Sequence, residues 1–171
     1  MKSSNFLKGA LCGFAAGVAA TIAKTVWEEY FPVRDEETST PPVKLAERIS
    51  GKDFSGKDAE STSLAIHGSF GVGTGIIYGA AAEVAPVVTS GLGLPFGLAF
   101  YGGTHGSVVP LLDLEPWPTQ TKREYAVNEF VGHLVYAATL EIVRRGMRQY
   151  VLNDHDFIGH EMTEDDFYAV E

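Results

Sequence analysis

The chain has 171 residues, enough for one domain, and a formal net charge of −9. Seven acids (Asp154, Asp156, Glu161, Glu164, Asp165, Asp166 and Glu171) fall in the last eighteen residues, which hold no Lys or Arg, and the rest of the chain sets 13 bases against 15 acids. This balance argues against a nucleic-acid surface, which needs clustered Lys and Arg. The lone Cys12 makes no internal disulfide and no framework for a zinc site, and its apolar surroundings suit a small packing residue.

Bilayer thickness sets the scale for the apolar blocks, since roughly 20 helical residues cross about 30 Å of hydrocarbon. Phe6 to Val26 is the first such block, with Lys8 near one end and Lys24 near the other. It follows a Met-Lys start like a signal peptide, but no small-x-small site leads into a polar mature start, so an uncleaved span is expected. The connector over 32–62 is polar, and Pro41-Pro42 ahead of Val43, Leu45, Ala46 and Ile49 predicts a short helix, lying on the membrane surface or packed on the bundle.

Leu64 to Ala82 carries no Asp, Glu, Lys or Arg, and neither does Val84 to Leu112, where Pro86 and Ser90-Gly-Leu-Gly93 mark a turn ahead of a span. Ala126 to Val143 is interrupted by Glu129, His133 and Glu141. The blocks are too long for strands and lack a period of two. The expected fold is all-α: a polytopic membrane protein with four spans at about 6–27, 64–84, 92–111 and 126–145, forming one domain over 1–152. An acidic, mobile tail is expected over 153–171. Trp27, Tyr30, Tyr101 and Trp117 suit interfacial anchors.

Gly9, Gly13 and Gly17 share one helix face, and so do Gly71, Gly75 and Gly79. In water a glycine inside a helix costs about 1 kcal/mol against alanine. In lipid, small residues at this spacing let backbones approach closely. The spacing leaves open whether these faces pack within one chain or build a homodimer.

Alternating helix directions bring Lys24, Glu28, His67, His105, Glu129 and His133 to one half of the membrane, and Glu83, Glu141, Arg144 and Arg145 to the opposite end. Charged groups in hydrocarbon are costly, so both sets are expected to face the bundle interior. Three readings of the first set compete. The groups satisfy one another and fix helix register; they sense or pass protons, because imidazole changes charge near neutral pH; or His67, His105, His133 and Glu129 ligate a metal or haem. No cofactor is the base expectation, with a metal or haem as the alternative. Gly71-Val-Gly-Thr-Gly resembles a piece of a nucleotide loop, yet no strand precedes it and no Lys follows. Gly102-Gly-Thr-His-Gly lacks a nucleophile elbow, and Asp154-His-Asp with His160-Glu reads as a solvated acidic end rather than a cation site.

The run Glu129-Phe-Val-Gly-His-Leu-Val-Tyr, continuing to Glu141-Ile-Val-Arg-Arg, resembles the last helix of the YagU family of small bacterial inner-membrane proteins. Lys24 with Glu28, Pro32 and Arg34 is similar to the end of that family's first helix; His67, Tyr78, Ala82-Glu83 and Pro86 to its second; His105 and Pro110 to its third. The likeness covers about 6–31 and 64–150, while the connector from Asp35 to Thr62 departs from it. It implies a bacterial plasma-membrane location, a cytoplasmic C-terminus, self-association and a link to acid resistance, with no established reaction. Five bases flank the membrane on the side of the termini and seven lie in the opposite connectors, so the positive-inside rule does not decide orientation. Both termini are placed inside because Arg144-Arg145 abuts the membrane and the resemblance agrees.

The preferred expectation is an integral membrane protein with no assigned reaction, whose partners are the lipid bilayer and a possible second copy, and which supports acid or envelope stress tolerance. A small ion or proton channel or transporter, a metal- or haem-binding membrane protein and a structural scaffold are the alternatives.

Overall fold

The computed structural model describes residues 3–32 and 39–151. Arg34 and the acidic tail, with its Asp154-His-Asp and His160-Glu motifs, lie outside the described residues. The all-α expectation holds among the described residues, where no strand occurs. In chain order the helices are α1 (Ser3–Tyr30), α2 (Pro41–Ser50), α3 (Gly56–Ala81), a 3-10 turn (Pro86–Thr89), α4 (Ser90–Gly103), a π-helical turn (Thr104–Val108), α5 (Val109–Leu111) and α6 (Arg123–Gly146), which runs on as a π-helical turn (Met147–Val151).

Glycine decides how α1 meets α3. The two helices run antiparallel, with Gly9 against Gly79, Gly13 against Gly75, and Gly17 between Gly75 and Val72. A methyl group on Gly13 would run into the Gly75 carbonyl oxygen, and one on Gly79 would lie 2.7 Å from the Gly13 Cα. Both glycine faces are therefore filled within one chain, so any pairing of two copies has to use another surface.

Helix α6 packs in the groove between α1 and α4. Lys24 and Trp27 of α1 lie against Gly132, and Gly97 of α4 is seated against Ala137 and the His133 carbonyl. Consecutive long helices alternate in direction. The core between them is Ala16, Ala20, Tyr78, Tyr136 and Leu140, with Phe96 and Phe100 packed on it.

The expected third span is not one uniform helix. Gly91, Leu92 and Gly93 all have positive φ (52°, 60° and 78°), so α4 turns left-handed before its regular part begins. Glycine accepts that conformation freely, whereas Leu92 is strained in it. Pro95 then falls in the first regular turn, where its missing N–H matters little. At the far end, Pro110 cannot donate to a carbonyl one turn back, and the chain widens into the π turn just before it.

The predicted connector helix is α2, which starts at Pro41-Pro42 and is closed by Gly51 in the left-handed region (φ 67°), whose N–H donates to the Glu47 carbonyl. It is packed on the bundle: Val43 is buried, and Thr40 and Ser63 share a hydroxyl hydrogen bond. The Gly71–Gly75 stretch lies inside α3, which removes the nucleotide-loop reading.

Two of the four expected spans have the length and composition to cross a bilayer: α1 over Asn5–Tyr30 (mean hydropathy 1.6) and α3 over Gly56–Ala81 (mean hydropathy 1.2). Of their apolar windows 39% and 33% are buried. Leu7, Leu11, Phe14, Val18, Ile22 and Val26 make an outward stripe on α1, opposite its Gly and Ala face. Leu64 and Ile77 on α3, Leu94 and Leu98 on α4, and Val127 and Ile142 on α6 are exposed as well.

Candidate functional site

Two polar clusters sit at opposite ends of the bundle, separated by the apolar core. At the Lys24 end, three helices and a connector contribute. Lys24 points inward from the glycine-alanine face of α1 and is 4% exposed. Its ammonium pairs with Glu28 one turn later and with Glu129 of α6 at 3.4 Å. Next to this pair, the Trp27 indole N–H donates to Asn128 Oδ1 at 2.6 Å, and the Asn128 amide donates to the Phe31 carbonyl at 3.1 Å. The end of α1 is thereby fixed to the start of α6.

The π turn brings two consecutive residues, Thr104 and His105, onto α6. His105 is held between carboxylates: Nδ1 lies 3.1 Å from Glu115 and Nε2 lies 3.4 Å from Glu129. Both imidazole nitrogens thus face carboxylate oxygens, which only accept. The His133 ring lies 5.2 Å from that of His105, edge to face. His133 Nδ1 meets the Glu129 carbonyl at 2.7 Å, so that nitrogen carries the proton. Its Nε2 is 3.4 Å from the Thr104 hydroxyl oxygen, whose own proton is directed at the Phe100 carbonyl at 2.7 Å. A lone pair on Thr104 is thus free to accept from a charged His133.

Of the six residues expected at this end, Lys24, Glu28, Glu129, His105 and His133 form one connected group. His67 of α3 lies within electrostatic reach of Lys24, Glu28, Glu129 and His105 but makes no hydrogen bond among the described residues. Glu115, Tyr125, Asn128 and Thr104 belong to the group and were not expected there. Glu115 lies in a connector ten residues from His105, and only folding brings that connector back over the bundle. Asn128 was legible in principle, being one position before Glu129 on a buried helix. A shallow recess is lined by Tyr101, His105, Glu115, Tyr125 and Glu129 among others.

At the opposite end, Glu141 is the hub and is fully buried. Its carboxylate accepts from the Tyr78 hydroxyl at 2.6 Å, from Arg144 Nε and Nη2 at 2.7 and 2.8 Å, and from Arg145 Nε at 2.6 Å. Arg145 also reaches the Thr89 carbonyl at 3.3 Å. Glu83, at the end of α3, pairs with Arg148 at 2.5 Å. Sequence reasoning had grouped Glu83, Glu141, Arg144 and Arg145 but had omitted Tyr78 and Arg148 as partners. Tyr78 lies on the same face as Gly71, Gly75 and Gly79, which is the signal that could have found it.

Among the described residues no group of three or more His, Cys, Asp or Glu is arranged to hold a metal ion. His105, His133 and Glu129 meet as hydrogen-bonding and charged partners, with both His105 nitrogens directed at carboxylates.

A family described as "Protein of unknown function (DUF1440)" has a sequence model that matches residues 18–142. No curated protein matches the chain, and no solved structure does.

Proposed function

This chain belongs to the DUF1440 family, and on that premise we propose that it is an integral plasma-membrane protein whose Lys24-end cluster responds to protons and supports survival under acid or envelope stress. The observation that carries the reading is an inverted burial pattern. Glycine, alanine, Tyr78, Tyr136 and paired ionisable groups make up most of the interior, while many leucine, isoleucine, valine and phenylalanine side chains lie on the outside. Water-soluble monomers rarely expose apolar surface on this scale, and ionisable groups inside a bundle in lipid are a functional-site hypothesis by default.

On this reading α1, α3, α4 with its π turn, and α6 all cross the bilayer. Both termini are cytoplasmic, and the Lys24 end faces outward, where external acid arrives first. The likeness to YagU proteins, carried by Glu129 to Tyr136 and Glu141 to Arg145, supports the inner-membrane location and the link to acid. The two carboxylates facing His105 and the accepting lone pair at Thr104 beside His133 support a proton-responsive role, since an acceptor stands next to each of these two rings. The buried core of Ala16, Ala20, Tyr78, Tyr136 and Leu140 between the clusters favours sensing over conduction through an open pore.

Two measurements test the proposal separately. Carbonate washing of membranes is expected to leave the protein in the pellet, and release into the supernatant would remove the membrane reading. Replacing His67, His105 and His133 together by Gln keeps polarity but removes the titrating groups. Survival at low pH is expected to fall toward that of cells lacking the protein, with membrane abundance unchanged. Equal survival of the variant and the parent would remove the proton role.

A further inference from the structure

Residues 112–121, between α5 and α6, cross over the Lys24 end, and polar ties hold them there. Their one buried apolar side chain is Leu114. Glu115, also buried, accepts from the Tyr125 hydroxyl at 2.6 Å and faces His105 Nδ1 at 3.1 Å. From the other side, α2 reaches over: Lys44 donates to the Leu114 carbonyl at 3.0 Å, and Arg48 donates to the Leu112 carbonyl. Near its start Asp113 takes a left-handed φ of 50°, and the segment then passes through Pro116-Trp117-Pro118. Glu115, Pro116, Pro118 and Thr121 of the segment share a shallow recess with His105 and Glu129.

We propose that residues 112–121 form a strap that closes the Lys24 end of the bundle, with Glu115 as the latch that holds it to the π turn and to α6. The physical argument is a contrast in what holds each part. Helices α1 and α3 are locked by backbone contact along their glycine faces, whereas the strap buries one apolar side chain and is tied to its neighbours mainly through polar groups, among them Glu115 and the two basic side chains of α2. Segments with few buried apolar contacts open locally, well before the whole molecule unfolds. When the strap lifts, the carboxylates of Glu115 and Glu129 and the ring of His105 meet water, and the side chains they face (Lys24 and Glu28 of α1, His67 of α3, Tyr101 of α4, Tyr125 and His133 of α6) become reachable from that side. The inference does not depend on what the cluster does once reached.

Amide hydrogen exchange on the full chain in lipid nanodiscs tests it. The reporters are Asp113, Leu114 and Gln120, whose N–H groups donate to the carbonyls of Pro110, Val109 and Trp117. In Glu115→Ala these amides are expected to exchange at least about tenfold faster, the factor that loss of one charge-assisted hydrogen bond gives. Tyr125→Phe, which removes one hydroxyl, should raise the same amides by less. In both variants the amides of α1 and α3 stay at the parent rate. A Thr104→Cys reporter in a Cys12→Ser background should also react faster with a water-soluble maleimide once Glu115 is replaced. Parent-like exchange in the strap of both variants, an increase shared equally by α1 and α3, or unaltered labelling of the cysteine would each overturn the strap.

Discussion

Gly13→Leu is expected to leave no folded bundle. The added Cβ alone would run into the Gly75 carbonyl oxygen and approach the Gly79 backbone to 3.0 Å, and these are main-chain atoms that cannot swing aside. Separating the two helices to admit a leucine breaks the flanking contacts as well, since a methyl on Gly9 or Gly17 would also meet the α3 backbone, at 2.5 and 3.1 Å. Overpacking of a close-packed interior costs roughly 1–3 kcal/mol where side chains can adjust, and here backbone meets backbone, so the cost lies above that range. Loss of the monodisperse peak in size-exclusion chromatography in detergent, together with loss of the thermal transition, is the expected readout. Gly73→Ala is the control. Nothing lies within 4 Å of a methyl at that position, and alanine is the better helix former by about 1 kcal/mol in water. Its thermal midpoint should equal or exceed that of the parent. A leucine at position 13 that left the transition in place would mean that α1 and α3 do not pack through these faces.

Glu141→Ala carries the second large effect. Removing this carboxylate takes the acceptor from Tyr78, Arg144 and Arg145 at once, and Arg144 is 2% exposed. Breaking a buried ion pair from one side costs about 3–5 kcal/mol, because the remaining charge loses its partner without regaining water. The expected result is a strongly lowered thermal midpoint in detergent. Glu141→Gln, which keeps an acceptor but no charge, should fall between. Removing charge on both sides, as in Glu141→Leu with Arg144→Met, should recover part of the loss, since apolar groups of similar volume often replace a buried pair at little cost. If the double variant were as unstable as the sum of the two single ones, the two side chains would not be acting as a pair.

These two predictions rest on features of different legibility. The four-residue glycine spacing on two apolar blocks can be read directly from the chain, because periodicity and side-chain size are local properties. The same holds for the all-α class, for α2 between Pro41-Pro42 and Gly51, and for the depth at which Lys24, Glu129 and His133 enter the interior. Helix rise converts sequence position to depth without knowledge of any partner. The partners of the two glycine faces are a different matter. A small face states that a backbone can approach, not which one, and only the assembled bundle shows that the faces meet each other.

The break in the third apolar block was half legible. Pro110 and the Gly91-Leu92-Gly93 triplet announce irregular backbone. The π turn that puts both Thr104 and His105 against α6 depends on what α6 offers them. The reach of Glu115 to His105, the clasp of Lys44 and Arg48 on the strap, and the pairing of Glu83 with Arg148 join residues far apart in sequence, and no local pattern encodes them. The chain by itself thus determined which segments are helical, which faces are small and at what depth the ionisable groups lie, since each follows from a few neighbouring residues. The tertiary structure alone decided which charge meets which, because a salt bridge across a bundle depends on the relative rotation and register of packed helices.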